Sequence, residues 1–399
     1  MTASLAVSVA GIQYANPFLL SSAPPTTSRA MIERAFELGW GGAVIKTLAQ
    51  VEPDMLRNVS PRIRGIHVGG RLMGFTNIEL GTQKSVEHWL DDISAIKRRF
   101  PDKVLIASIL YGGAPIESQW RGVAAQCQQA GADALELNFS CPHGCAESGG
   151  LAEIGTHPEV MGTVLGWVRQ STTLPIYAKL PPVSDIIAGA RACAQNGADG
   201  ISLINTISSI PGIDIETFRP LLAVQGESAF GGMSGRMIKP IALRCVAQAA
   251  QTAPLPISGI GGIYTWQDAV EFLLVGASTV QVCSAVMEKG YGIIEGLCKG
   301  LRAYLERKGL DSPQALIGRS LPYFRQHKDL TRLKTVQPSF TVGTCRKCAL
   351  CITICRDSGY QAIQSDEDGI PYVTTACTGC GLCAQVCPTG SIRLTVVPQ

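Results

Sequence analysis

Between Cys345 and Cys387 the sequence writes C-x2-C-x2-C-x3-C twice: Cys345, Cys348, Cys351 and Cys355, then Cys377, Cys380, Cys383 and Cys387, with Pro388 closing the second run. No other feature restricts the folding of this chain so strongly. Thiolates at this spacing wrap three corners of a cubane iron–sulfur cluster, and in paired runs the fourth cysteine of each reaches the other cluster. The spacing therefore assigns one 4Fe-4S cluster to Cys345, Cys348, Cys351 and Cys387, and a second to Cys377, Cys380, Cys383 and Cys355. The alternative, a pair of zinc sites, would more naturally draw on two pairs of cysteines. Arg356 stands where proline usually ends the first run, which changes the surroundings of the second cluster and not its ligation. Two clusters this close carry electrons, so residues 339–399 are expected to form a small conducting domain. A conductor needs something at each end.

The 399 residues are too many for one ordinary domain but suit a barrel of about 250 residues with a small module attached. Hydrophobic residues make up 46% and charged residues 16%, enough apolar material for a large core. The net charge of +3 is spread along the chain with no basic tail or arginine stripe, which argues against nucleic acid or an acidic membrane surface as a partner. The opening "MTASLAVSVAGIQ" lacks a basic start and reads as a β-hairpin, not as a signal peptide. No run approaches the ~18 apolar residues of a spanning helix, and the expectation is a cytoplasmic protein without a membrane partner. In such a compartment the fifteen cysteines are not disulfides: eight read as ligands, and the other seven mostly as core residues, with Cys141 the exception. Cys127, Cys193, Cys245 and Cys298 fall inside helical patterns and read as small core residues, while Cys145 has no assigned role.

Short apolar runs alternate with helical patterns as far as Lys308. The expected strands are residues 18–22, 42–47, 104–110, 134–140, 175–180, 200–206, 255–260 and 279–284. Eight near-continuous apolar strands separated by helices argue for a parallel sheet closed into a (β/α)8 TIM barrel over residues 1–310, an α/β fold. A doubly wound open sheet is the alternative. Residues 311–338 lose the period and are expected to be a linker packed partly on the barrel, ahead of a ferredoxin-like domain.

In a barrel of this kind the chemistry lies at the C-terminal ends of the strands. Those ends carry Ser22 and Ala23, Lys46 and Thr47, Asn138 through Cys141, Lys179, and Asn205 with Thr206. "SGIGGI" (Ser258 to Ile263) and "CSAV" (Cys283 to Val286) follow the last two strands, where barrels hold a phosphate. Glycines at 261 and 262 let backbone N–H groups approach it. With two inward lysines this points to flavin mononucleotide (FMN), because a lysine near the N1 and O2 edge stabilises the anionic reduced ring. Asn138 and Asn205 at neighbouring strand ends suit a planar, amide-bearing ligand, although each could instead cap a loop. "LNFSCPHG" brings a thiol, Cys141, and an imidazole, His143, into a glycine-rich loop that can close over a substrate.

At this point the sequence resembles a known family. "NFSCPHG", "YAKL", "LINTIS", "GGMSG", "PISGIGGI", "VQVCSAV" and "CTGCGLCAQVCP" are similar, in order and over almost the whole chain, to dihydropyrimidine dehydrogenase. More narrowly they resemble the flavin-and-cluster subunit of its bacterial two-subunit form, whose barrel is related to dihydroorotate dehydrogenase. "NVSPRI" and "NIEL" belong to the same resemblance. It implies FMN in the barrel and reversible reduction of the C5–C6 bond of uracil or thymine. Cys141 would be the general acid that protonates C5, helped by His143. Asn77, Asn138, Ser140, Asn205 and Thr206 would bind the pyrimidine. Ser22, Ala23, Lys46, Thr47, Asn138, Lys179, Asn205, Ser234, Gly235, Gly261, Gly262, Cys283 and Ser284 would form the flavin site. It also implies a partner subunit with FAD, an NAD(P)H site and clusters of its own, in a heterotetramer. No strand in this chain is followed by G-x-G-x-x-G, so neither FAD nor a nicotinamide has a site here.

The sequence departs from the family after the third strand. Where the family has a substrate-binding asparagine, "LYGGAPIESQW" (Leu110 to Trp120) has none. The expectation is that Tyr111 replaces that contact with its hydroxyl, and that Gly112 and Gly113 make room for thymine or a related cyclic imide. Two other functions remain open on the residues alone: oxidation of dihydroorotate or reduction of another cyclic amide, and electron transfer with the barrel as a docking scaffold.

Overall fold

The computed structural model describes residues 3–50, 57–111, 115–139, 154–182 and 185–397. Eight parallel strands close on themselves: β1 (Phe18–Leu20), β2 (Gly42–Val44), β3 (Val104–Tyr111), β4 (Ala134–Asn138), β5 (Ile176–Leu180), β6 (Gly200–Leu203), β7 (Ile257–Ile260) and β8 (Ala277–Val282). Each pairs with the next in sequence, and β8 pairs with β1 through Val280 and Phe18. All eight expected runs are strands and the sheet is closed, so the fold is a TIM barrel and not an open sheet.

The flanking helices are α1 (Arg29–Glu37), α2 (Val86–Arg99), α3 (Glu117–Gln129), α4 (Pro158–Arg169), α5 (Ile186–Gln195), α6 (Lys239–Thr252), α7 (Trp266–Leu274), α8 (Ser284–Lys289) and α9 (Ile293–Arg307). Local chemistry starts several of them. Ser28 and Ser85 accept backbone N–H groups at the starts of α1 and α2, and Thr265 with Asp268 forms a capping box on α7. Their inner faces bury Trp40, Trp89 and Trp120 completely against the strands.

The barrel interior is layered by strand alternation. Val7, Val9 and Tyr14 of an N-terminal hairpin (Val7–Val9 with Ile12–Tyr14) pack with Leu19, Val44, Val104, Ile106, Ala134 and Tyr177 into an apolar plug at the N-terminal end. Side chains on one face of a strand recur every second residue. Two positions beyond the plug, the same faces therefore carry Lys46 after Val44, Ser108 after Ile106, Glu136 after Ala134, and Lys179 after Tyr177. All four are buried. The middle of this barrel is polar, and the cavity stands on it.

Above the C-terminal mouth lies a four-stranded antiparallel sheet that the sequence reading did not anticipate. Its order is Ile207–Ser209, Gly231–Gly235, Arg71–Asn77, Ile63–Val68. The last two form a hairpin through Gly69 and Gly70, whose φ values of 57° and 75° suit a two-residue turn that favours glycine at both positions.

The chain divides into two compact units, Met1–Phe324 and Arg325–Gln399. Residues 311–324 belong to the first: Leu316 is buried, and Gly318 and Ser320 donate to the carbonyls of Leu273 and Leu274 at the end of α7. Residues 336–340 belong to the second, as the strand Val336–Phe340 paired with Ile392–Val396. That unit also holds helices Leu350–Ser358 and Leu382–Val386, and each cysteine run leads into one of them. Two left-handed positions recur in each run, Lys347 and Ala349 in the first (φ 53° and 58°), Gly379 and Gly381 in the second (φ 78° and 82°).

Candidate functional site

A cavity of about 1210 Å3, counting open solvent at its mouth, lies between the strand ends and the antiparallel roof. Ser22, Ala23, Lys46, Thr47, Asn138, Lys179, Asn205, Thr206, Gly261, Gly262, Cys283 and Ser284 line it from the barrel; Asn77, Ser234 and Gly235 line it from the roof. Every described residue expected at the flavin or pyrimidine site, Tyr111 excepted, is thus gathered at one place. Ser140, Cys141 and His143 lie outside the described residues, as does Cys145. Strand β4 ends at Asn138, three positions before Cys141 in the sequence.

A chain of hydrogen bonds crosses the mouth. Ser22 Oγ and Thr47 Oγ1 are 2.9 Å apart, and Thr47 Oγ1 lies 3.0 Å from Ser108 Oγ. Asn138 donates to Thr47 Oγ1 at 3.4 Å, Asn205 donates to Asn138 Oδ1 at 3.3 Å, and the Thr206 N–H donates to Asn205 Oδ1 at 2.8 Å. The two asparagines therefore orient each other. Asn77 is tied into the roof, donating to the Gly232 carbonyl at 3.1 Å and accepting the Glu79 N–H at 3.3 Å. Ser284 donates to Ser234 at 2.9 Å beside the glycines.

Both inward lysines are paired with carboxylates that sequence reasoning missed. Lys46 Nζ is 2.9 Å from Glu79, which also meets Arg62 at 3.1 Å. Lys179 Nζ is 3.3 Å from Glu136 Oε1 without hydrogen-bond alignment, while Ser202 and Gln281 each donate to Glu136 Oε2 at 2.8 Å. The signal for Glu136 was present: in "ALELN" it is the lone charge of an apolar strand, on the same face as Asn138. Burial pushes the Cys283 thiol up to about 11, against the pull of Lys46 and Lys179.

Tyr111 is a correction. Its hydroxyl donates to the Gln119 carbonyl at 2.6 Å and its ring packs on Trp120 with centroids 5.1 Å apart, so the side chain is turned into the core. Leu110 lines the cavity in that region instead. A buried tyrosine needs a partner for its O–H, and the backbone of α3 supplies a nearer one than any ligand. Gly112 and Gly113 lie outside the described residues.

The donor set suits FMN. Two cations and two amides, from the ends of β2, β4, β5 and β6, line the same cavity as the small residues and hydroxyls beside Gly235, Gly261 and Gly262. Gly262 has a φ of 75°, and a Cβ there would lie 2.9 Å from the Gly235 carbonyl oxygen, so only glycine fits this close crossing.

In the second unit, Cys345, Cys348, Cys351 and Cys387 line one cavity of about 460 Å3, the same four that the spacing assigns to one cluster. Backbone N–H groups of Lys347 and Gly379 donate to the sulfurs of Cys345 and Cys377, both at 3.4 Å, and that of Ala362 to Cys355 at 3.3 Å. Such donors stabilise thiolate charge. Burial pushes the Cys351 thiol up and Cys383 to about 11, while the Thr389 hydroxyl beside Cys387 holds that thiol down to about 7. Among the described residues no three His, Cys, Asp or Glu side chains converge closely enough for a single ion. Sulfurs set around a cavity fit a larger polynuclear body. Of the remaining cysteines, Cys127, Cys193 and Cys245 are buried in helices as expected, and Cys298 is half-buried.

Comparison with known proteins agrees with both units. The sequence profile of the dihydroorotate dehydrogenase family matches residues 4–305, and that of a 4Fe-4S dicluster domain matches residues 341–394. The NAD-dependent dihydropyrimidine dehydrogenase subunit PreA of Escherichia coli K12 is 39% identical over 401 residues, spanning 99% of this chain and 96% of the relative. The chloroplastic dihydropyrimidine dehydrogenase (NADP(+)) of Arabidopsis thaliana is 37% identical, over 82% of this chain and 79% of that one. The catalytic subunit of dihydroorotate dehydrogenase B (NAD(+)) of Pyrococcus furiosus is 39% identical, over 79% of this chain and 98% of its own.

Proposed function

The chain belongs to the dihydroorotate dehydrogenase family, and from that membership and its 4Fe-4S dicluster domain we propose that it is the catalytic subunit of a dihydropyrimidine dehydrogenase, reversibly reducing the C5–C6 double bond of a uracil- or thymine-type ring. The observation that carries this reading is the 39% identity with a dihydropyrimidine dehydrogenase subunit through both units, dicluster domain included. The dihydroorotate dehydrogenase B relative is as similar residue for residue, but is matched over 98% of its length by only 79% of this chain. Oxidation of dihydroorotate is therefore the second reading.

In this proposal Lys46, Lys179 and the asparagine pair hold the ring of FMN, and Ser234, Gly235, Gly261, Gly262 and Ser284 hold its phosphate. FMN bound there supplies a hydride. Asn138, Asn205 and Thr206 present amide and hydroxyl groups to the pyrimidine carbonyls and ring N–H, and their mutual hydrogen bonds fix those groups before the substrate arrives. The Cys141 thiol delivers a proton to C5 while C6 takes the hydride, and His143 re-protonates the thiolate. A thiol suits this role because its ordinary pKa lies near working pH. Cys345, Cys348, Cys351 and Cys387 would hold one 4Fe-4S cluster and Cys377, Cys380, Cys383 and Cys355 a second, and these would supply the two electrons each turnover needs. Those electrons come from a partner subunit that oxidises NAD(P)H.

The test is anaerobic turnover with dihydrouracil, dihydrothymine and dihydroorotate in wild type, Cys141→Ala and Cys145→Ala. With an electron-accepting dye as oxidant Cys141 takes back the proton as general base, and its loss should lower kcat by ~10²–10⁴-fold with flavin and clusters retained, while Cys145→Ala should be nearly silent. Equal behaviour of the two mutants would reject Cys141 as the acid. Turnover of dihydroorotate alone would replace the first reading with the second.

A further inference from the structure

Glu136 is a carboxylate at 0% exposure inside a barrel. A charge there is unfavourable unless it is paired and hydrogen-bonded. Ser202 and Gln281 both donate to one of its oxygens, at 2.8 Å, and two donors converging on a single carboxyl oxygen suit the ionised, acceptor-only form. Gln281 donates in turn to Ser258 at 3.2 Å, and Thr279 to Ser258 at 3.0 Å, so three neighbouring strands, β6, β7 and β8, build the network around this one group. The other oxygen faces Lys179 Nζ at 3.3 Å.

Lys179 is thus placed between a buried anion and the cavity. The second inward lysine is different: Lys46 shares Glu79 with Arg62, two cations to one carboxylate. One side of the cavity keeps a surplus positive charge, and the other is balanced. Nothing in the packing requires this asymmetry, because a glutamine at 136 could accept and donate within the same network.

We infer that Glu136 is a positioning residue that sets the electron affinity of the bound flavin by offsetting the charge of Lys179. The inference rests on the flavin reading of the cavity proposed above. The two-electron reduced ring carries a negative charge that Lys179 attracts, and inside a low-dielectric barrel that attraction is strong. Glu136 weakens it and keeps the potential low enough for the hydride to be passed on. Ser202 and Gln281 fix the carboxylate group and its distance from the ammonium group.

The experiment is an anaerobic spectroelectrochemical titration of the purified chain as a function of pH, following flavin absorbance separately from the cluster bands. Glu136→Gln is expected to raise the midpoint potential of the flavin. It should also move to lower pH the change of slope that marks protonation of the reduced ring, because an uncompensated Lys179 opposes that proton. A merely structural role would shift neither. Glu136→Asp keeps the charge but retracts it by one methylene, and is expected to give a smaller rise. If Glu136→Gln loses its flavin, Glu136→Asp decides the matter, and a wild-type potential in it overturns the inference. A flavin-loaded Glu136→Gln variant with wild-type potential and slope also overturns it. Wild-type chain that takes up no FMN would overturn the reading of the cavity itself.

Discussion

Gly232 in the roof crosses Thr206 so closely that a Cβ would fall on the Thr206 hydroxyl and 2.7 Å from its Cβ. Thr206 lines the cavity, so the glycine governs where its hydroxyl stands. Gly232→Ala is expected to fold, retain its clusters and lose about 10²-fold in kcat/KM, the scale of a misplacement near 1 Å. Unchanged kinetics would show that Thr206 does not touch the substrate. Much of the site was legible at this scale, because Lys46, Asn138, Lys179 and Asn205 are polar residues ending apolar runs. Glu136 was not recognised, since a charge in the middle of a buried strand looks like a flaw until its partners from other strands are seen, and Glu79, in the loop after Arg71–Asn77, shows its role only with Lys46 and Arg62 beside it. Tyr111 misled for the opposite reason: sequence shows that a hydroxyl is near a loop and not which way it turns.

Among the elements, the eight barrel strands were legible as apolar runs bounded by glycine-ended helices. The roof was not, because its strands are short and its two halves meet from far apart in sequence; Asn77 meets Gly232 across 155 positions. A clasp ties this roof to the barrel. Arg236 follows the roof strand Gly231–Gly235, lies 3.5 Å from the Tyr264 ring centroid beyond β7, and makes a forked contact with Glu288 of α8 at 2.8 and 3.2 Å. The Arg236 guanidinium holds the Glu288 carboxyl below the usual glutamate value of 4.5. A carboxyl depressed in the folded state contributes stability that is complete above its unfolded value and lost as the pH falls through the folded one. Thermal stability should therefore be level above about pH 5, as far as this pair is concerned, and decline below pH 4.5. Glu288→Gln should start lower at neutral pH and show a shallower acid decline. Identical slopes in the two proteins would mean that the clasp does not contribute.

For the whole molecule, the two cysteine runs announced a separate electron-carrying unit, and the structure divides between Phe324 and Arg325. Among the described residues no helix is long and apolar enough to cross a membrane. The sequence contains no nicotinamide fingerprint after any strand, and this leads to a prediction about the isolated chain. Its clusters and flavin should be reduced by dithionite or low-potential dyes within the mixing time, and by NADH or NADPH only after the partner subunit is added. Rapid bleaching of the flavin by NADH alone would show that the chain has a nicotinamide site of its own.

The apolar plug blocks one end of the barrel, and the roof over the other is stitched from segments 63–77 and 207–235, far apart in sequence. Pairing across such sequence separation is slow, because the entropy of closing the loop must be spent first. A mononucleotide bound as proposed between plug and roof would have to enter before the roof pairs or through its reopening. A chain refolded without FMN and supplied with it afterwards should regain flavin at a rate independent of nucleotide concentration, limited by reopening of the roof. A chain refolded in its presence should acquire it as fast as it folds. Stopped-flow quenching of free FMN fluorescence in the two regimes would separate them. A cofactor taken up in that way would be a folding partner, built in during maturation.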